Sequence, residues 1–389
     1  MSNLKNLSSY DYKLPREMIA QEAHLPADEC KLLINNKWII KDAIFSDIAD
    51  IFDKNTVLYF NNSKVIKSRI PLSWSKYTNS RWREYNIKNG EIFFLNKISD
   101  NQFEALVNPG EKFKLENKIF FPNDIYFEVI KYTKKWRILQ INNTNIDEFL
   151  EQYGLMPLPT YISYNKDKET PYQPIFAKNP GSVASPTASL HFTEKLFQKL
   201  TDKWVNFNYL TLHIWLGTFQ AVDTENIEDF NIHSEKIVLD DSVFDNIYDH
   251  IISGRQIIWV GTTSTRILES LPYLWISLKE YHNNTSTNRK EVALFWDELT
   301  KKISTEKVNE YIHDIEFGPI SFNTKLFIYT WFEFRIIKHM ITNFHLPKSS
   351  LLMMISTFMG HKNMLDTYQH AIENNYRFFS FGDAMLILK

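Results

Sequence analysis

The sequence predicts two kinds of structure, a small antiparallel β-barrel over residues 64–150 and an α/β layer after it. In the first region, short alternating runs such as Glu91–Leu95 and Tyr126–Ile130 are separated by Asn, Gly and Asp turns at a spacing of about 8–12 residues, which is typical of antiparallel strands. After Gly154, strands alternate with helices, which is typical of an α/β layer. Met156–Pro159 is expected to be a rigid connector between the two regions.

Individual elements follow from apolar runs, from their spacing and from the turn signals that bound them. Val292, Phe295, Leu299 and Ile303 repeat at helical spacing after a loop at 283–290, which predicts an additional amphipathic helix. The other predicted elements are a short helical piece around Glu17–Gln21, strands Leu32–Ile34 and Thr56–Phe60, a helix near Thr193–Lys203, a strand Leu210–Leu216, a helix near Val243–Ile252, a strand Gln256–Val260, a helix from about Arg266, and a strand-like block Tyr376–Met385.

The composition narrows the class of protein. A chain of 389 residues with 44% hydrophobic residues favours two domains with a real core. The 44 basic and 46 acidic residues nearly cancel, so nucleic-acid binding would need a local patch. The single cysteine, Cys30, excludes an internal disulfide and a multi-cysteine zinc site. With no signal-peptide pattern and no apolar run of about 20 residues, we expect a soluble cytoplasmic protein with no membrane contact.

One local patch interleaves cationic and aromatic side chains. Such a pattern suits stacking on single-stranded or loop RNA, and a solvated face of the barrel explains it almost as well. The candidate RNA-binding residues are Trp74, Lys76, Arg81, Trp82 and Arg83.

The predicted strand Gln256–Val260 leads into a glycine and a run of hydroxyl residues. The free N–H groups of the following helix start favour an anion such as a phosphate or an amino-acid carboxylate, and Arg266 would add a fork-shaped contact. An ordinary hydroxyl N-cap explains the pattern equally well. The residues of this candidate anion site are Gly261, Thr262, Thr263, Ser264 and Arg266.

Three histidines and two carboxylates are candidates for proton transfer. They form either an acid/base cluster or a metal site, or each histidine is a core residue with fixed partners. Their separations match no known metal spacing, so we expect no metal. The residues are His213, His233, His345, Glu235 and Asp383.

The stretch Ile341–Ser350 contains Asn343, His345 and Lys348 directly before the apolar run Leu351–Ile355. Because the apolar run will be buried, these polar residues are either core groups with fixed partners or the wall of a pocket.

Several blocks of the sequence have a pattern more specific than that of a secondary-structure element. The sequence resembles the S-adenosylmethionine:tRNA ribosyltransferase-isomerase family of queuosine biosynthesis. The matching blocks span nearly the whole chain and are Asp11-Tyr12-x-Leu14-Pro15 with Ile19-Ala20-Gln21, Met156-Pro157-Leu158-Pro159, Tyr172-Gln173, Gly181-Ser182-Val183-Ala184-x-Pro186-Thr187-Ala188-x-Leu190-His191-Phe192-Thr193, Thr211-Leu212-His213 with Leu216-Gly217-Thr218-Phe219, His233-x-Glu235, Val260–Arg266 with Leu268-Glu269-Ser270, Ile341–Ser350 and Tyr376–Leu386.

The resemblance implies a discontinuous α/β domain, residues 1–63 and 151–389, interrupted by an inserted small antiparallel β-barrel domain, residues 64–150. It implies transfer of the ribosyl group of S-adenosylmethionine to 7-aminomethyl-7-deazaguanine at the wobble position of a tRNA anticodon loop. Rearrangement then forms epoxyqueuosine and releases adenine and methionine. S-adenosylmethionine is thus the expected donor substrate, and a monomer is expected.

The resemblance also implies that Ile341–Ser350 forms the wall of a pocket and that Tyr376–Met385 lies opposite it as a companion wall. Ribose proton transfer would suit the candidate acid/base residues, and the methionine carboxylate would rest on the helix start Gly261–Arg266. The further residues implied in substrate binding are Thr187, His191, Thr218, Asn343, Lys348 and Arg377.

The chain departs from the family pattern at several positions. Cys30 stands where the family has a serine, Ser189 and Trp215 replace glycines, and Gln220 replaces an arginine. A large ring in place of a glycine would change a pocket. The alternative function is therefore a diverged paralogue that acts on another acceptor or serves as a non-catalytic RNA- or nucleotide-binding protein.

Overall fold

A computed structural model describes residues 4–73, 75–78, 84–86, 90–132, 136–214, 222–282, 287–317 and 319–389. The chain divides into two compact units, one of Met1–Lys64 with Pro159–Lys389 and one of Val65–Leu158. The helices are α1 (Ile48–Ile51), α2 (Ile146–Tyr153), α3 (Glu194–Asp202), α4 (Val243–Ile252), α5 (Thr262–His282), α6 (Lys290–Thr300), α7 (Thr305–Tyr311), α8 (Ser350–Met359) and α9 (His361–Glu373).

The strands, also in chain order, are β1 (Lys31–Asn36), β2 (Ile39–Ile44), β3 (Thr56–Asn61), β4 (Ser63–Val65), β5 (Arg69–Pro71), β6 (Lys76–Thr78), β7 (Glu84–Asn86), β8 (Glu91–Ser99), β9 (Gln102–Asn108), β10 (Lys118–Phe120), β11 (Tyr126–Tyr132), β12 (Arg137–Asn142), β13 (Asn179–Ser182), β14 (Asn206–His213), β15 (Glu235–Leu239), β16 (Gln256–Val260), β17 (Ile312–Glu316), β18 (Ile320–Thr324), β19 (His339–Asn343) and β20 (Ala384–Leu388).

The first unit is built on a ten-stranded mixed sheet. Its strand order is β17-β18-β15-β14-β3-β16-β19-β20-β1-β2. The central run β14-β3-β16-β19 is parallel, antiparallel pairs flank it on both sides, and β20 then pairs in parallel with β1. The predicted α/β class is confirmed by this sheet and the helices around it.

Both faces of the sheet are buried, and strand β3 shows how the sequence achieves this. Val57 and Tyr59 pack into the hydrophobic cluster on one face, whereas Leu58 and Phe60 pack into the cluster on the other. Successive side chains of a strand point to opposite faces, so a continuous apolar run suits a strand covered on both sides. The predicted strand Thr56–Phe60 is confirmed by β3.

Helix α5 begins at Thr262, four residues before the predicted start. Gly261, with φ of 90°, makes the tight turn out of β16. The Ser264 hydroxyl donates to the Val260 carbonyl at 2.8 Å, and the Thr265 hydroxyl donates to the Gly261 carbonyl at 3.3 Å. These hydroxyl groups bond within the first turn of the helix, so a run that reads as turn-forming is helical here.

The predicted strand-like block Tyr376–Met385 is wrong over most of its length, because β20 begins only at Ala384. Before it the backbone turns: the Gly382 N–H donates to the Phe379 carbonyl at 2.9 Å, and Phe379 has a φ of 73°. The predicted helical piece near Glu17 is a single 3₁₀ turn, Arg16–Met18.

The second unit contains an eight-stranded antiparallel sheet, as expected for its alternating sequence. Its order is β5-β8-β9-β12-β11-β10-β6-β7, and within the described ranges the order ends at β5 and β7. Its core includes Phe103, Phe127 and Phe149. Helix α2 covers part of this core, and its start is capped by the Asn145 side chain, which accepts from the Glu148 N–H at 2.9 Å.

Candidate active site

A cleft in the first unit lies at the carboxyl ends of parallel strands. Gly261 directly follows β16, Asn343 ends β19, and Ile214 directly follows β14. Ligands of parallel α/β sheets bind at this edge. The walls come from segments 185–188, 261–263 and 343–349 together with Tyr161, Phe379 and Ser380, and the cleft with its mouth has about 910 Å³ of empty space.

Four side chains form a continuous hydrogen-bonded series that ends in the cleft. The Thr187 hydroxyl donates to Asn343 Oδ1 at 2.9 Å, and Asn343 Nδ2 lies 3.1 Å from His191 Nε2. His191 Nδ1 lies 3.1 Å from Cys30 Sγ. Burial lowers the pKa of His191 to about 3 and raises that of the Cys30 thiol, so both groups are neutral at neutral pH. This series joins segments that are far apart in sequence.

Two hydroxyl oxygens in the cleft wall are buried without a hydrogen-bond partner. They are Ser185 Oγ and Thr263 Oγ1. A buried hydroxyl without a partner is costly, and such groups in a native cleft indicate that a polar ligand supplies the missing bond. Sequence reasoning included Thr263 but missed Ser185, which is the unmatched position between Ala184 and Pro186 in a block that otherwise fits the family.

His345 is held from three directions in the cleft wall. Its Nε2 lies 2.9 Å from Thr342 Oγ1, its backbone N–H donates to the Tyr368 hydroxyl oxygen at 3.1 Å, and its carbonyl accepts from the Tyr12 hydroxyl. Burial lowers the pKa of His345 to about 3. The cleft therefore contains a fixed, uncharged imidazole at neutral pH.

Lys348 also lines the cleft, in a loop whose backbone has a φ of 59° at this residue. Its ammonium lies 2.7 Å from the Asp11 carboxylate, and both side chains are about half exposed (45% and 47%). An ion pair this exposed contributes little to stability, about 0–1 kcal/mol. Lys348 is thus available to exchange Asp11 for a ligand at small energetic cost.

A second, smaller cavity lies behind the cleft, and Leu351 borders both. Arg266 and Glu235 line it and form an ion pair between Arg266 Nη1 and Glu235 Oε2, with both side chains almost fully buried. Arg266 Nε and Nη2 have no hydrogen-bond partner. His233 also lines this second cavity, whose remaining walls are mostly apolar. Arg266, which was expected to join Gly261, Thr262, Thr263 and Ser264 in one anion site, therefore lines the second cavity and not the cleft.

The structure separates the five predicted acid/base residues. His345 is in the cleft, while His233 and Glu235 are at the second cavity. His213 packs against Gly181, where an added Cβ would lie 3.0 Å from its Nδ1, and burial and Lys236 lower its pKa. Among the residues described, neither His213 nor Asp383 lines either cavity.

The buried Asp383 and the partly exposed Arg377 form a clamp at the start of β20. Asp383 Oδ2 accepts from the Arg377 backbone N–H at 2.7 Å, and Oδ1 accepts from Arg377 Nη2 at 3.0 Å and from the Lys31 N–H at 3.3 Å. Each carboxylate oxygen thus already has a donor. The arrangement connects the end of β20 to β1.

The remaining predicted site residues divide between the cleft and positions without structural description. Gly261, Thr262 and Thr263 line the cleft, while the hydroxyl of Ser264 is directed to the Val260 carbonyl. Lys76 lies in β6, of which only the backbone is described. Thr218, Trp74, Arg81, Trp82 and Arg83 lie outside the described residues.

Sequence reasoning missed Tyr161, whereas Phe379 and Ser380 lie in the block Tyr376–Met385 that was expected to be the companion of the pocket wall. Tyr161 and Phe379 line the cleft with ring centroids 5.0 Å apart, and the Tyr161 hydroxyl lies 2.7 Å from Ser380 Oγ. Tyr161 follows the Met156–Pro159 connector, and no local pattern in the sequence separates it from the many other aromatic residues.

Within the described part of the chain, no group of three His, Cys, Asp or Glu side chains is arranged to hold a metal ion. The helices described there include none that is both long and apolar enough to cross a membrane.

Comparison with known proteins gives the family. Residues 7–387 match the family described as queuosine biosynthesis protein. The chain belongs to this family. Proteins named S-adenosylmethionine:tRNA ribosyltransferase-isomerase are similar over nearly the whole length. The one from Sulfurihydrogenibium is 36% identical over 387 residues, covering 98% of this chain and 99% of that one.

A second relative agrees with this membership. The protein of the same name from Thermosipho melanesiensis is 37% identical over 385 residues, again covering 98% of this chain and 99% of that one. Among solved structures, the crystal structure of S-adenosylmethionine tRNA ribosyltransferase from Thermotoga maritima is 25% identical with a TM-score of 0.48, covering 98% of this chain and 100% of that one.

Proposed function

We propose that this protein transfers the ribosyl group of S-adenosylmethionine to 7-aminomethyl-7-deazaguanine at the tRNA wobble position and isomerises it to epoxyqueuosine. Membership of the queuosine biosynthesis family and relatives of that name, similar from end to end, support the proposal. The structural observation that carries it is the cleft at the carboxyl edge of the sheet, with the buried, unpartnered hydroxyls of Ser185 and Thr263 in its wall. These hydroxyls would bind the polar donor substrate.

The sulfonium of S-adenosylmethionine would lie against the aromatic wall of the cleft. Tyr161 and Phe379 are adjacent there, and aromatic faces attract cations by their quadrupole. The backbone N–H groups at Thr262 and Thr263 are at the positive end of α5, a 21-residue helix, whereas the Gly261 N–H donates to the Ile341 carbonyl at 2.8 Å. That end would bind the anionic or hydroxyl-bearing part of the donor.

Arg266 would bind the methionine carboxylate from the second cavity. Its Nε and Nη2 present two unused donors side by side, a geometry that matches a carboxylate. The apolar walls of that cavity suit a methionine side chain, and Leu351 separates it from the cleft by a single residue. Glu235 holds the third nitrogen of the guanidinium and keeps the buried charge paired.

This subsite can be tested with decarboxylated S-adenosylmethionine, which lacks only the carboxylate. We expect the wild type to bind the complete donor about tenfold or more tightly than the analogue, because a charge-assisted pair is lost. The double variant Glu235→Gln with Arg266→Gln removes both buried charges together and should bind both compounds equally. Calorimetry measures both affinities. If the double variant still binds the complete donor more tightly than the decarboxylated analogue by the wild-type factor, Arg266 is bonded to an internal water only.

His345 is the proposed proton-transfer residue, because it is the predicted acid/base histidine that lines the cleft. If the Thr342 hydroxyl donates to the Asn343 carbonyl, 3.3 Å away, then His345 Nε2–H donates to Thr342 and Nδ1 keeps its lone pair. His233 and Glu235 would act from the second cavity. For His213, Asp383 and Arg377, roles in holding the frame of the site fit their contacts.

The tRNA anticodon loop is the proposed partner. A flipped wobble base would enter the cleft beside Lys348, Asn343 and the remaining predicted substrate-binding residues. We further propose that Val65–Leu158 is an inserted, barrel-like domain that contacts the RNA through the cationic and aromatic patch at 74–83, and that the protein acts as a cytoplasmic monomer.

The function is tested by incubating the purified protein with S-adenosylmethionine and tRNA that carries 7-aminomethyl-7-deazaguanine. Nucleoside mass spectrometry after digestion should show conversion to epoxyqueuosine. Binding of the donor without conversion would instead favour the diverged paralogue, for which the changes at Cys30 and Ser189, both next to the site, are the relevant observation.

A further inference from the structure

Each hydrogen bond in the series from Cys30 to Thr187 has a donor and an acceptor. Their order decides whether Thr187 offers a hydrogen or a lone pair to a ligand in the cleft. Cys30, His191 and Asn343 are buried, with exposures of 1%, 4% and 2%; Asn343 and Thr187 line the cleft, and Thr187 is the member of the series that is partly exposed. Because the three inner groups are buried, each hydrogen in the series has a fixed position.

The direction follows from the chemistry of each group. The Asn343 amide nitrogen can only donate, so His191 Nε2, at 3.1 Å, accepts. The neutral imidazole then carries its hydrogen on Nδ1, which donates to Cys30 Sγ at 3.1 Å.

At the other end, Asn343 Oδ1 accepts the only hydrogen of the Thr187 hydroxyl at 2.9 Å. Thr187 Oγ1 consequently offers lone pairs, and no hydrogen, to the cleft. If the Asn343 amide were turned over, every bond in the series would reverse and Thr187 would offer a hydrogen. The two arrangements make opposite demands on a ligand.

We propose that Cys30 is a positioning residue that acts through His191 and Asn343, and that the series makes Thr187 a hydrogen-bond acceptor selecting a ribose hydroxyl of the donor substrate. This inference rests on the proposed function for the identity of the donor. It adds a residue, Cys30, that lines neither cavity, and it assigns a polarity to the contact at Thr187.

The polarity is tested directly by ¹⁵N NMR of the His191 ring in the full-length protein, which needs no turnover. The expected spectrum has a protonated, pyrrole-type Nδ1 and a bare, pyridine-type Nε2. The opposite assignment would overturn the inference. Because this measurement does not involve the ligand, its result is independent of whether the protein transfers ribose.

The selectivity is tested by binding S-adenosylmethionine and its 2′-deoxy and 3′-deoxy ribose analogues to Thr187→Val. A neutral hydrogen bond corresponds to a change in affinity of about three- to tenfold. Compared with the wild type, Thr187→Val should bind the complete donor and one analogue about three- to tenfold more weakly. It should bind the analogue that lacks the selected hydroxyl as tightly as the wild type does. An equal loss for all three compounds would contradict the selection. Thr300→Val, which removes a helical hydroxyl bonded to the Trp296 carbonyl, is the matched control.

The role of Cys30 is tested by comparing Cys30→Ser with Cys30→Ala. Serine keeps an acceptor for the His191 N–H, so it should retain the Nδ1–H form and the affinity. Alanine removes the acceptor, so it should give a mixture of the two imidazole forms and lower the affinity about threefold. If both variants keep the wild-type spectrum and affinity, Cys30 only fills space. If wild type fails to bind S-adenosylmethionine at all, the proposed function fails while the spectrum still reports the polarity.

Discussion

At the scale of single residues, the unpartnered hydroxyls of Ser185 and Thr263 distinguish a binding cleft from a polar region of the core. We expect Ser185→Ala and Thr263→Val each to weaken binding of S-adenosylmethionine about three- to tenfold, because each loses one hydrogen bond to the ligand. Neither should lower the free energy of unfolding, and each could raise it by about 1 kcal/mol by removing a buried polar atom that has no partner.

Calorimetry gives the affinities and urea unfolding gives the stabilities of these two variants. Thr300→Val is again the control, with the reverse pattern: it loses a hydrogen bond at 2.8 Å to the Trp296 carbonyl, so it should be less stable by up to about 1 kcal/mol and bind normally. Loss of stability without loss of affinity at Ser185 and Thr263 would show that they are structural.

His345 makes a second prediction at this scale. Its pKa of about 3 keeps the ring neutral from pH 5 to pH 9, so titration of His345 cannot produce an inflection in the pH–rate profile over that range. His345→Gln keeps a hydrogen bond to Thr342 and should fold, but its rate should fall at least about a hundredfold because proton transfer is lost. Full activity of this variant would exclude His345 from catalysis.

At the scale of elements, helix α5 fixes the loop that precedes β19. The buried Glu269 carboxylate accepts from the backbone N–H groups of Arg335, Ile336 and Ile337 at 2.9, 3.0 and 2.9 Å. Burial raises the pKa of Glu269, and the three donors oppose that shift. Glu269 therefore holds the chain in place just before the strand that ends at Asn343.

Glu269→Ala should lower the free energy of unfolding by about 3 kcal/mol or more, since it leaves three buried N–H groups without an acceptor. Glu269→Gln keeps one acceptor oxygen and should cost less. The exposed Glu298, paired with Lys301 on the surface, provides the control, and Glu298→Ala should change stability by less than about 0.5 kcal/mol. Urea unfolding monitored by far-UV circular dichroism measures all three.

The bounds of the elements also show how much of the fold could be predicted from the sequence. The bounds of strand β16 and helix α4 were predicted to the residue. An apolar run predicts only a strand there, and a clear amphipathic repeat predicts only a helix. The start of α5 was predicted four residues late, because Thr262–Thr265 has the composition of a turn and the back-bonding of its hydroxyls is visible only in the structure. The residues near Phe379 read as a strand from their aromatic alternation, but the Arg377–Asp383 clamp bends them into a turn.

The site was predictable where one segment contains it. Asn343, His345 and Lys348 share a short polar stretch before a buried run, and all three line the cleft. The series from Cys30 to Thr187 was not predictable, because its first bond joins residues 161 positions apart and a lone cysteine has no pattern.

At the scale of the whole molecule, two buried neutral histidines make stability depend on pH. The pKa values of His191 and His345 are about 3 in the folded protein and about 6.5 in an unfolded chain. The unfolded state thus binds more protons between these values, so stability falls as the pH decreases below about 6.5. At pH 5.5, each histidine should lower the free energy of unfolding by about 1.4 kcal/mol relative to pH 8.

Urea unfolding at pH 8 and pH 5.5 measures this difference. The variant His345→Gln should lose about half of the part due to the two histidines. A wild-type stability that does not fall over this range would contradict the burial of neutral imidazoles beside the cleft.

The central claim is that this cleft carries out ribosyl transfer from S-adenosylmethionine, and adenine release measures it most directly. With enzyme in excess over tRNA, we expect the wild type and Thr300→Val to release one adenine per tRNA that carries the aminomethyl base, and none with unmodified tRNA. Ser185→Ala combined with Thr263→Val should release it at least about tenfold more slowly at low donor concentration. No adenine from the wild type, or equal rates in the double variant, would contradict the account.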